Sequence, residues 1–349
     1  MSGAAAVSDV RVGVVGLGRI GRLHAELLQR RVPGARVALA YDAHEPTALA
    51  AAEELDLTLA PSVEALLASD DVDAVAICTS TDTHVPLILA AAGARKAIFC
   101  EKPVSLDLAA VDEALDAVSA AGLTFQIGFN RRFDPAHAAV RAAVEDGTVG
   151  EPQLVRISSR DPEPPPLDYV RRSGGLFLDM TIHDFDMARF VTGSEVVRVT
   201  AHGALRIRPE FAEAGDVDTA VVTLEHADGT LTTIDNSRRA TYGYDQRVEV
   251  HGSNGMAASE NPLVHTTVVR TAAGLGAAQV PNFFLDRYVP AYLAQWFAFV
   301  DAVRAGAAGT PGVGDARAPL VIGLAALRSQ REGGRPVAVA EIESELAVR

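Results

Sequence analysis

Apolar positions recur along the first 128 residues in two alternating periods. Residues 10–15 (VRVGVV) form a short apolar run of strand type, and Ile20, Leu23, Leu27 and Leu28 then fall at helical spacing over 19–31. The alternation continues through a strand at 36–41, helical patterns near 45–55 and 62–69, and a strand at 73–79. A helix over 83–93, a strand at 96–100, a helix over 105–121 and a strand at 123–128 follow. Ser105 is the expected N-cap of the 105–121 helix and Gly122 the residue that ends it. Strands alternating with helices of this length predict parallel βαβ units with right-handed crossovers.

The pattern then changes. Asp134-Pro135 predicts a cap and first helical residue, opening a helix to about Gly147. The run PEPPP at 162–166 marks a loop. Residues 175–192 have helical apolar spacing, whereas 195–270 are strand-like and rich in Val and Thr. Within them Asp228-Gly229 is a hairpin signal. A helix over 286–305 aligns Val289, Leu293, Trp296, Phe297, Val300 and Val303 on one face and stops at Gly306. A helix near 315–332 and a short strand near 335–340 complete the series. The fold class is α/β: an amino-terminal parallel-sheet domain, residues 1–129, then an α+β domain with a mostly antiparallel sheet, residues 130–349.

Composition narrows the partners. The chain has 349 residues, 48% of them hydrophobic, which excludes a disordered protein. With 31 Lys and Arg against 45 Asp and Glu, the net charge is −14, the wrong sign for a general nucleic-acid binder. Two cysteines, Cys78 and Cys100, sit in apolar runs and are expected as buried free thiols. The opening residues MSGAAAVSDV lack the basic and apolar stretches of a secretory leader. No run has the length of a membrane span, so a cytoplasmic protein without a membrane partner is expected.

Residues 16–21 read Gly16-Leu17-Gly18-Arg19-Ile20-Gly21, a GxGxxG between a strand and a helix. In this context Gly16 permits the tight turn, Gly18 lets a pyrophosphate approach the backbone, and Gly21 lets helix and strand pack closely. Free amides at the helix start suit phosphates. Asp42 ends the next strand, 21 residues beyond Gly21. Its carboxylate suits the two hydroxyls of an adenosine ribose and repels a 2′-phosphate, which favours NAD over NADP. Arg19 and His44 are candidate phosphate contacts that weigh the other way. A ligand-free glycine turn beside a surface acid is the competing reading.

Glu101-Lys102-Pro103 lies at a predicted strand end, the side of a parallel sheet that faces a ligand crevice. Alone it reads more readily as a solvated loop lysine, as most lysines are. Asp179 and His183 are four apart on a predicted helix, hence on one face, an arrangement shared with ordinary surface pairs. Asp184 and Asp186 add carboxylates but make no metal-ligand spacing, so no metal is expected. Together the groups suit alcohol oxidation, with histidine as base, carboxylate as its orienter and lysine beside the developing alkoxide.

These motifs resemble the glucose–fructose oxidoreductase, inositol dehydrogenase and rhizopine catabolism family. They are GLGRIG at the amino terminus with His24 close behind, EKP at 101–103, and GGLFLDMTIHDFD at 174–186. The blocks GFNRRFDP (128–135), SRDPEPPP (159–166) and DNSRRATYGYDQRVEVHGSNGM (235–256), with FFLDRY (283–288), resemble the bacterial inositol 2-dehydrogenase branch. The resemblance implies an NAD-binding Rossmann domain, a carboxy-terminal domain with a large open sheet, and homotetramers. It implies that Ser80, Thr81, His84, Glu101 and the glycine turn hold NAD, and that Lys102 contacts both the nicotinamide ribose and substrate. It makes Asp179 and His183 the acid–base pair, and has Arg131, Asp161 and Tyr242 line a polyol pocket. The implied reaction is oxidation of the C2 hydroxyl of myo-inositol. Another cyclitol or aldose as substrate, a glycosidase with retained NAD, and an NAD-binding sensor are the alternatives.

Overall fold

The computed structural model describes residues 8–346, so residues 1–7 of the opening stretch, on which the leader argument leans, lie outside it. The described residues divide into two compact units: 8–129 with 292–317, and 130–291 with 318–346.

The first unit is built on five parallel strands, β1 (Val10–Val15), β2 (Ala35–Tyr41), β3 (Ala74–Ile77), β4 (Ala97–Cys100) and β5 (Phe125–Ile127), in the order β2-β1-β3-β4-β5. Ala40 also makes a parallel bridge to Leu59, outside β2. Counting that rudimentary strand, the order is the 3-2-1-4-5-6 of the dinucleotide-binding fold. The order in which strands are added reverses between β1 and β3, and ligands of such sheets bind at the carboxyl ends of the strands flanking that point. β1 and β3 are almost wholly apolar and buried, as strands covered on both faces must be.

Local chemistry explains the helix ends. The helix expected from Ser105 begins later, at Leu108, because Asp107 is the cap: its Oδ1 accepts from the Ala109 amide, while Ser105 Oγ accepts from Asp107. Gly122 ends it at φ +61. Helix Phe284–Ala305 buries Tyr288, Tyr292, Trp296 and Phe299, and Phe297 is exposed. The inward stripe is therefore displaced from the face expected through Val289, Leu293 and Phe297.

Residues 292–317, expected in the second domain, pack into the first unit. Trp296 stacks on Phe99 at 4.7 Å and meets Phe299 edge-on. The Ile127 amide donates to Pro311 O (3.0 Å) and Thr124 Oγ1 to Ala307 O (2.7 Å). The edge strand β5 is thus covered by this returning segment.

The second unit holds a seven-stranded sheet. Its strands are β6 (Pro152–Arg160), β7 (Val196–Ala204), β8 (Thr219–His226), β9 (Leu231–Ser237), β10 (Asp245–Gly252), β11 (Gly255–Ser259) and, after an exposed hairpin of β12 (Val268–Thr271) and β13 (Gly274–Ala277), β14 (Val337–Ala338). The order is β11-β10-β6-β9-β8-β7-β14, antiparallel except for β6 against β9. Asp228-Gly229 makes the β8–β9 turn, with Gly229 at φ +90. Asp134 caps helix Pro135–Glu145 by accepting from the Ala136 and His137 amides. Alternate residues of β9 (Thr232, Ile234, Asn236) point inward, so polar Asn236 is buried on the covered face.

Candidate active site

In the first unit the glycine turn closes on backbone alone. Gly16 has φ +92, and a Cβ there would lie 2.8 Å from the Cys78 carbonyl group. A Cβ on Gly21 would meet the Gly16 carbonyl oxygen at 1.9 Å. Around a Cβ on Gly18 there is nothing within 4 Å. Gly18 is the N-cap of helix Arg19–Arg30 and supplies no side-chain cap. This is a cradle that a methyl group would fill, and it fits a dinucleotide pyrophosphate. Arg19 is exposed, Ile20 half-buried and Gly21 buried on the first turn of that helix.

Asp42 does structural work as well. Its Oδ2 accepts from the Leu17 amide (2.6 Å) and its Oδ1 from the His44 amide (2.8 Å), tying the glycine turn to the end of β2. Each oxygen keeps a further lone pair for a ribose hydroxyl. After β3, Ser80 is exposed and Thr81 opens a short 3-10 turn. His84, expected among the NAD contacts, is sealed at 1% exposure. Its Nδ1 pairs with Pro103 O at 2.8 Å and its Nε2 with Thr79 O at 3.1 Å. Burial lowers its pKa, so the neutral ring has one N–H to donate, and the shorter contact points to Pro103 as its acceptor. The ring acts on the EKP turn.

That turn has a second support. Glu101 is buried, and its Oε1 lies 2.8 Å from His24 Nε2, while Trp296 Nε1 donates to His24 Nδ1 at 3.0 Å. An indole nitrogen can only donate, so Nδ1 accepts and Nε2 carries the proton that Glu101 receives. Gly128 makes room for the carboxylate, since a Cβ there would come within 2.9 Å of Glu101 Oε2. Lys102, held between Glu101 and Pro103, remains part-exposed.

The second unit carries the other candidates. The expected single helix over 175–192 is split. Residues 176–180 form a π-helical turn, closed by Thr181 N donating to Leu176 O at 2.9 Å, and an α-helix runs Ile182–Thr192. Asp179 is in the wide turn and His183 in the first turn of the α-helix. The Asp179 carboxylate accepts from the Tyr169 hydroxyl (2.9 Å) and lies 3.6 Å from the buried Arg238 guanidinium. Asp161 follows β6, and its amide donates to Ser237 O. Desolvation lifts its carboxyl to about 6, with Arg238 opposing and Asp179 adding to the rise.

Arg131 does not stand alone in a pocket. Its Nη1 donates to Asp184 Oδ1 (2.7 Å) and Ser159 Oγ (3.3 Å), and its Nη2 to the Tyr244 hydroxyl (3.4 Å). Asn236 Nδ2 donates to the other Asp184 oxygen at 2.7 Å. Burial lifts Asp184 to about 6, against the pull of Arg131 and these hydrogen bonds. Arg132 holds Asp186 through two bonds of 2.9 and 2.6 Å. The acids Asp184 and Asp186 are thus partners of the Arg131-Arg132 pair. Tyr242 is half-exposed; it donates to Asp245 (2.6 Å) and accepts from Arg160 (2.8 Å). Tyr244, two residues on, is the buried tyrosine beside Arg131. Sequence reasoning missed Tyr169, Asp216, Asn236, Arg238 and Tyr244. For Asn236 and Arg238 the available signal was polar residues at inward positions of the 231–238 stretch; for Tyr169, Asp216 and Tyr244 there was none. Among the described residues, no group of three His, Cys, Asp or Glu side chains is placed to hold a metal.

A dinucleotide cradle on a parallel sheet, followed by a second unit with a mixed sheet, defines a Rossmann-type oxidoreductase. The chain belongs to the GFO/IDH/MocA family of NAD-binding oxidoreductases. Residues 10–129 match its NAD-binding Rossmann fold and residues 137–258 its C-terminal domain. The chain is 45% identical to myo-inositol 2-dehydrogenase of Thermotoga maritima and 47% identical to inositol 2-dehydrogenase of Rhizobium meliloti. Each match covers 93% of this chain and 97% of the relative. The solved myo-inositol dehydrogenase of Corynebacterium glutamicum superposes with a TM-score of 0.90 at 38% identity, covering 95% of this chain and 98% of that one.

Proposed function

We propose that the protein is an NAD-dependent inositol 2-dehydrogenase, which oxidises the C2 hydroxyl of myo-inositol to the 2-keto product. The observation that carries this reading is the Asp179 carboxylate set against the buried Arg238 guanidinium and Asp161, with His183 four residues on in the first turn of the following helix. A polyol offers many hydroxyls, and such a cluster offers both donors and acceptors to meet them. The named relatives, similar over almost their whole length, support the choice of inositol.

Gly16, Gly18, Arg19, Ile20 and Gly21 would receive the pyrophosphate and Asp42 the adenosine ribose. Ser80, Thr81, Glu101 and Lys102 would line the nicotinamide half, with His84 bracing Pro103. When bound, NAD supplies the acceptor for the hydride that leaves C2. His183 removes the hydroxyl proton, and Asp179 orients the imidazole and stabilises its protonated form. Lys102 favours the developing alkoxide. Asp161 and Tyr242 bind other hydroxyls of the ring, and Arg131 sets the charge behind them. Residues 1–129 with the returning segment serve as the NAD-binding domain and the remainder as the substrate-binding domain. The enzyme works in the cytoplasm as a homotetramer, and its two sealed thiols, with pKa values raised by burial, suit a reducing compartment.

The test is NADH formation by purified protein given NAD and myo-inositol, run beside scyllo-inositol, glucose and NADP, with light scattering for the assembly. Turnover of myo-inositol with NAD and little with NADP is expected. Absence of turnover on any cyclitol, in protein that binds NAD, overturns the inositol reading and leaves another sugar or a glycosidase with retained NAD.

A further inference from the structure

Arg238 follows β9 and is 1% exposed, among the largest fully buried side chains of the protein. Its backbone is fixed by donation to Asp218 O at 2.9 Å. The guanidinium lies 3.6 Å from Asp179 Oδ2 and 3.7 Å from Asp216 Oδ2, too far for good hydrogen bonds to either. Its Nε and Nη2, and Asp216 Oδ2, are buried with no hydrogen-bond partner. Arg131 and Arg132 instead grip Asp184 and Asp186 directly at 2.6–2.9 Å, whereas the buried Arg287, like Arg238, stands 3.6 Å from its acid, Asp134, but faces that one acid alone among its ion pairs. Arg238 instead stands off two acids and acts on both through charge, which is strong in a dry interior.

Several elements bring groups to this arginine and its acids. Tyr169 donates to Asp179 from the helix Leu167–Ser173. Asp216 reaches in from the loop before β8 and accepts from the Leu176 amide at 2.9 Å, fixing the start of the π-helical turn. Asp161 approaches from the end of β6, where it feels Arg238 and Asp179, with Arg131 and Asp184 as its other charged neighbours. Three acids from three segments share one arginine.

We propose that Arg238 is a positioning residue for the acid–base pair: its charge holds the Asp179 carboxylate in place for His183 and keeps Asp161, Asp179 and Asp216 from repelling one another. The part concerning His183 rests on its reading as the base. The part concerning the three acids stands without it.

Two readouts separate these parts. Arg238→Gln, Arg238→Lys and Asp216→Asn are compared with the wild-type enzyme in thermal melts from about pH 5 to about pH 8, and in kcat/KM for myo-inositol with NAD over the same range. In Arg238→Gln the acids lose their cation, so their protonation relieves repulsion. The loss of Tm relative to wild type is therefore larger at the alkaline end than at the acid end. The acidic limb of kcat/KM moves to higher pH by about one unit, because the carboxyls of Asp161 and Asp216, which the Arg238 charge holds down, lose that cation. Arg238→Lys, which keeps the charge, restores the limb. Asp216→Asn removes a competing acid and moves the limb the opposite way, and it decides the matter if Arg238→Gln does not fold. A Tm deficit independent of pH with limbs that superimpose on wild type overturns the proposal. Wild-type enzyme inactive on inositol refutes the function, and the melts still decide the charge role.

Discussion

Gly18 separates what the dinucleotide turn needs for folding from what it needs for binding. At Gly18→Ala the new Cβ meets nothing within 4 Å, and the backbone angle of φ −63 is one alanine adopts freely. Losing glycine's freedom in the unfolded chain stabilises by about 0.4–1 kcal/mol, and the weaker N-cap offsets a few tenths of that. The net change in stability is within about 1 kcal/mol. Binding is another matter, because the methyl occupies the space a pyrophosphate enters. A loss of at least tenfold in NAD affinity, about 1.4 kcal/mol, is expected. At an NAD concentration about 100 times the wild-type Kd, ligand protection then falls from about 2.7 to about 1.4 kcal/mol or less. The counterpart is Gly21→Ala. Its Cβ would sit 1.9 Å from the Gly16 carbonyl oxygen, more than an ångström inside the 3.0 Å that real contacts keep. That overlap must move backbone and costs about 1–3 kcal/mol or more without any ligand. The assay is denaturant unfolding of both variants with and without NAD, with calorimetry for the Kd. Wild-type NAD protection in Gly18→Ala, or equal destabilisation of the two variants without NAD, refutes the reasoning.

Three further outcomes follow from the same geometry. Lys102→Ala and His183→Ala each lose about 10²-fold to 10⁴-fold in turnover with unchanged melting temperature, and wild-type kcat in either ends its assigned role. Trp296→Phe leaves His24 Nδ1 without its donor and costs about 1–3 kcal/mol, read as a lower denaturant midpoint; an unmoved midpoint sinks the Trp296–His24–Glu101 chain. Asp184 is fully buried, and its folded pKa of about 6 lies above the ordinary value of 3.8. The stability it contributes is therefore complete below that ordinary value and is lost as pH rises through about 6. The change has an upper bound of about 3 kcal/mol. Asp184→Asn shows a correspondingly flatter stability profile between about pH 4 and about pH 7, and urea melts with equal slopes in the two proteins contradict this.

The parallel domain is legible in the sequence because its signals are local. The glycine turn, the strand and helix periods and the Gly122 helix stop each lie within a few residues of what they determine. The features that escape depend on distant partners. Ser105 reads as a cap as well as Asp107 does, and only the hydrogen bonds decide. The helix pattern over 175–192 gives no sign of the π-helical turn, which Asp216 and Asn236 help to anchor from remote segments through Leu176 and Thr181. The face of helix Phe284–Ala305 is misread because its burial is set by residues as far back as His24 and Phe99. At the candidate site, Lys102, Asp179 and His183, whose roles stay a proposal, are singled out by residue type and family resemblance. Arg238 and Tyr244 are not, because two adjacent arginines and two nearby tyrosines look alike until one of each is buried.

The segment 292–317 has a consequence for the life of the newly made chain. At about 5–20 residues per second, a ribosome needs roughly 10–30 s to pass from residue 129 to residue 292. During that interval the nucleotide-binding unit has all five of its strands but lacks the cover of β5, of the Phe99 face against Trp296, and of His24 Nδ1. A ribosome-bound intermediate with an open aromatic cleft is thus written into the order of the gene. It is a natural client for a chaperone, and a fragment cut at residue 129 inherits the same exposed cleft permanently.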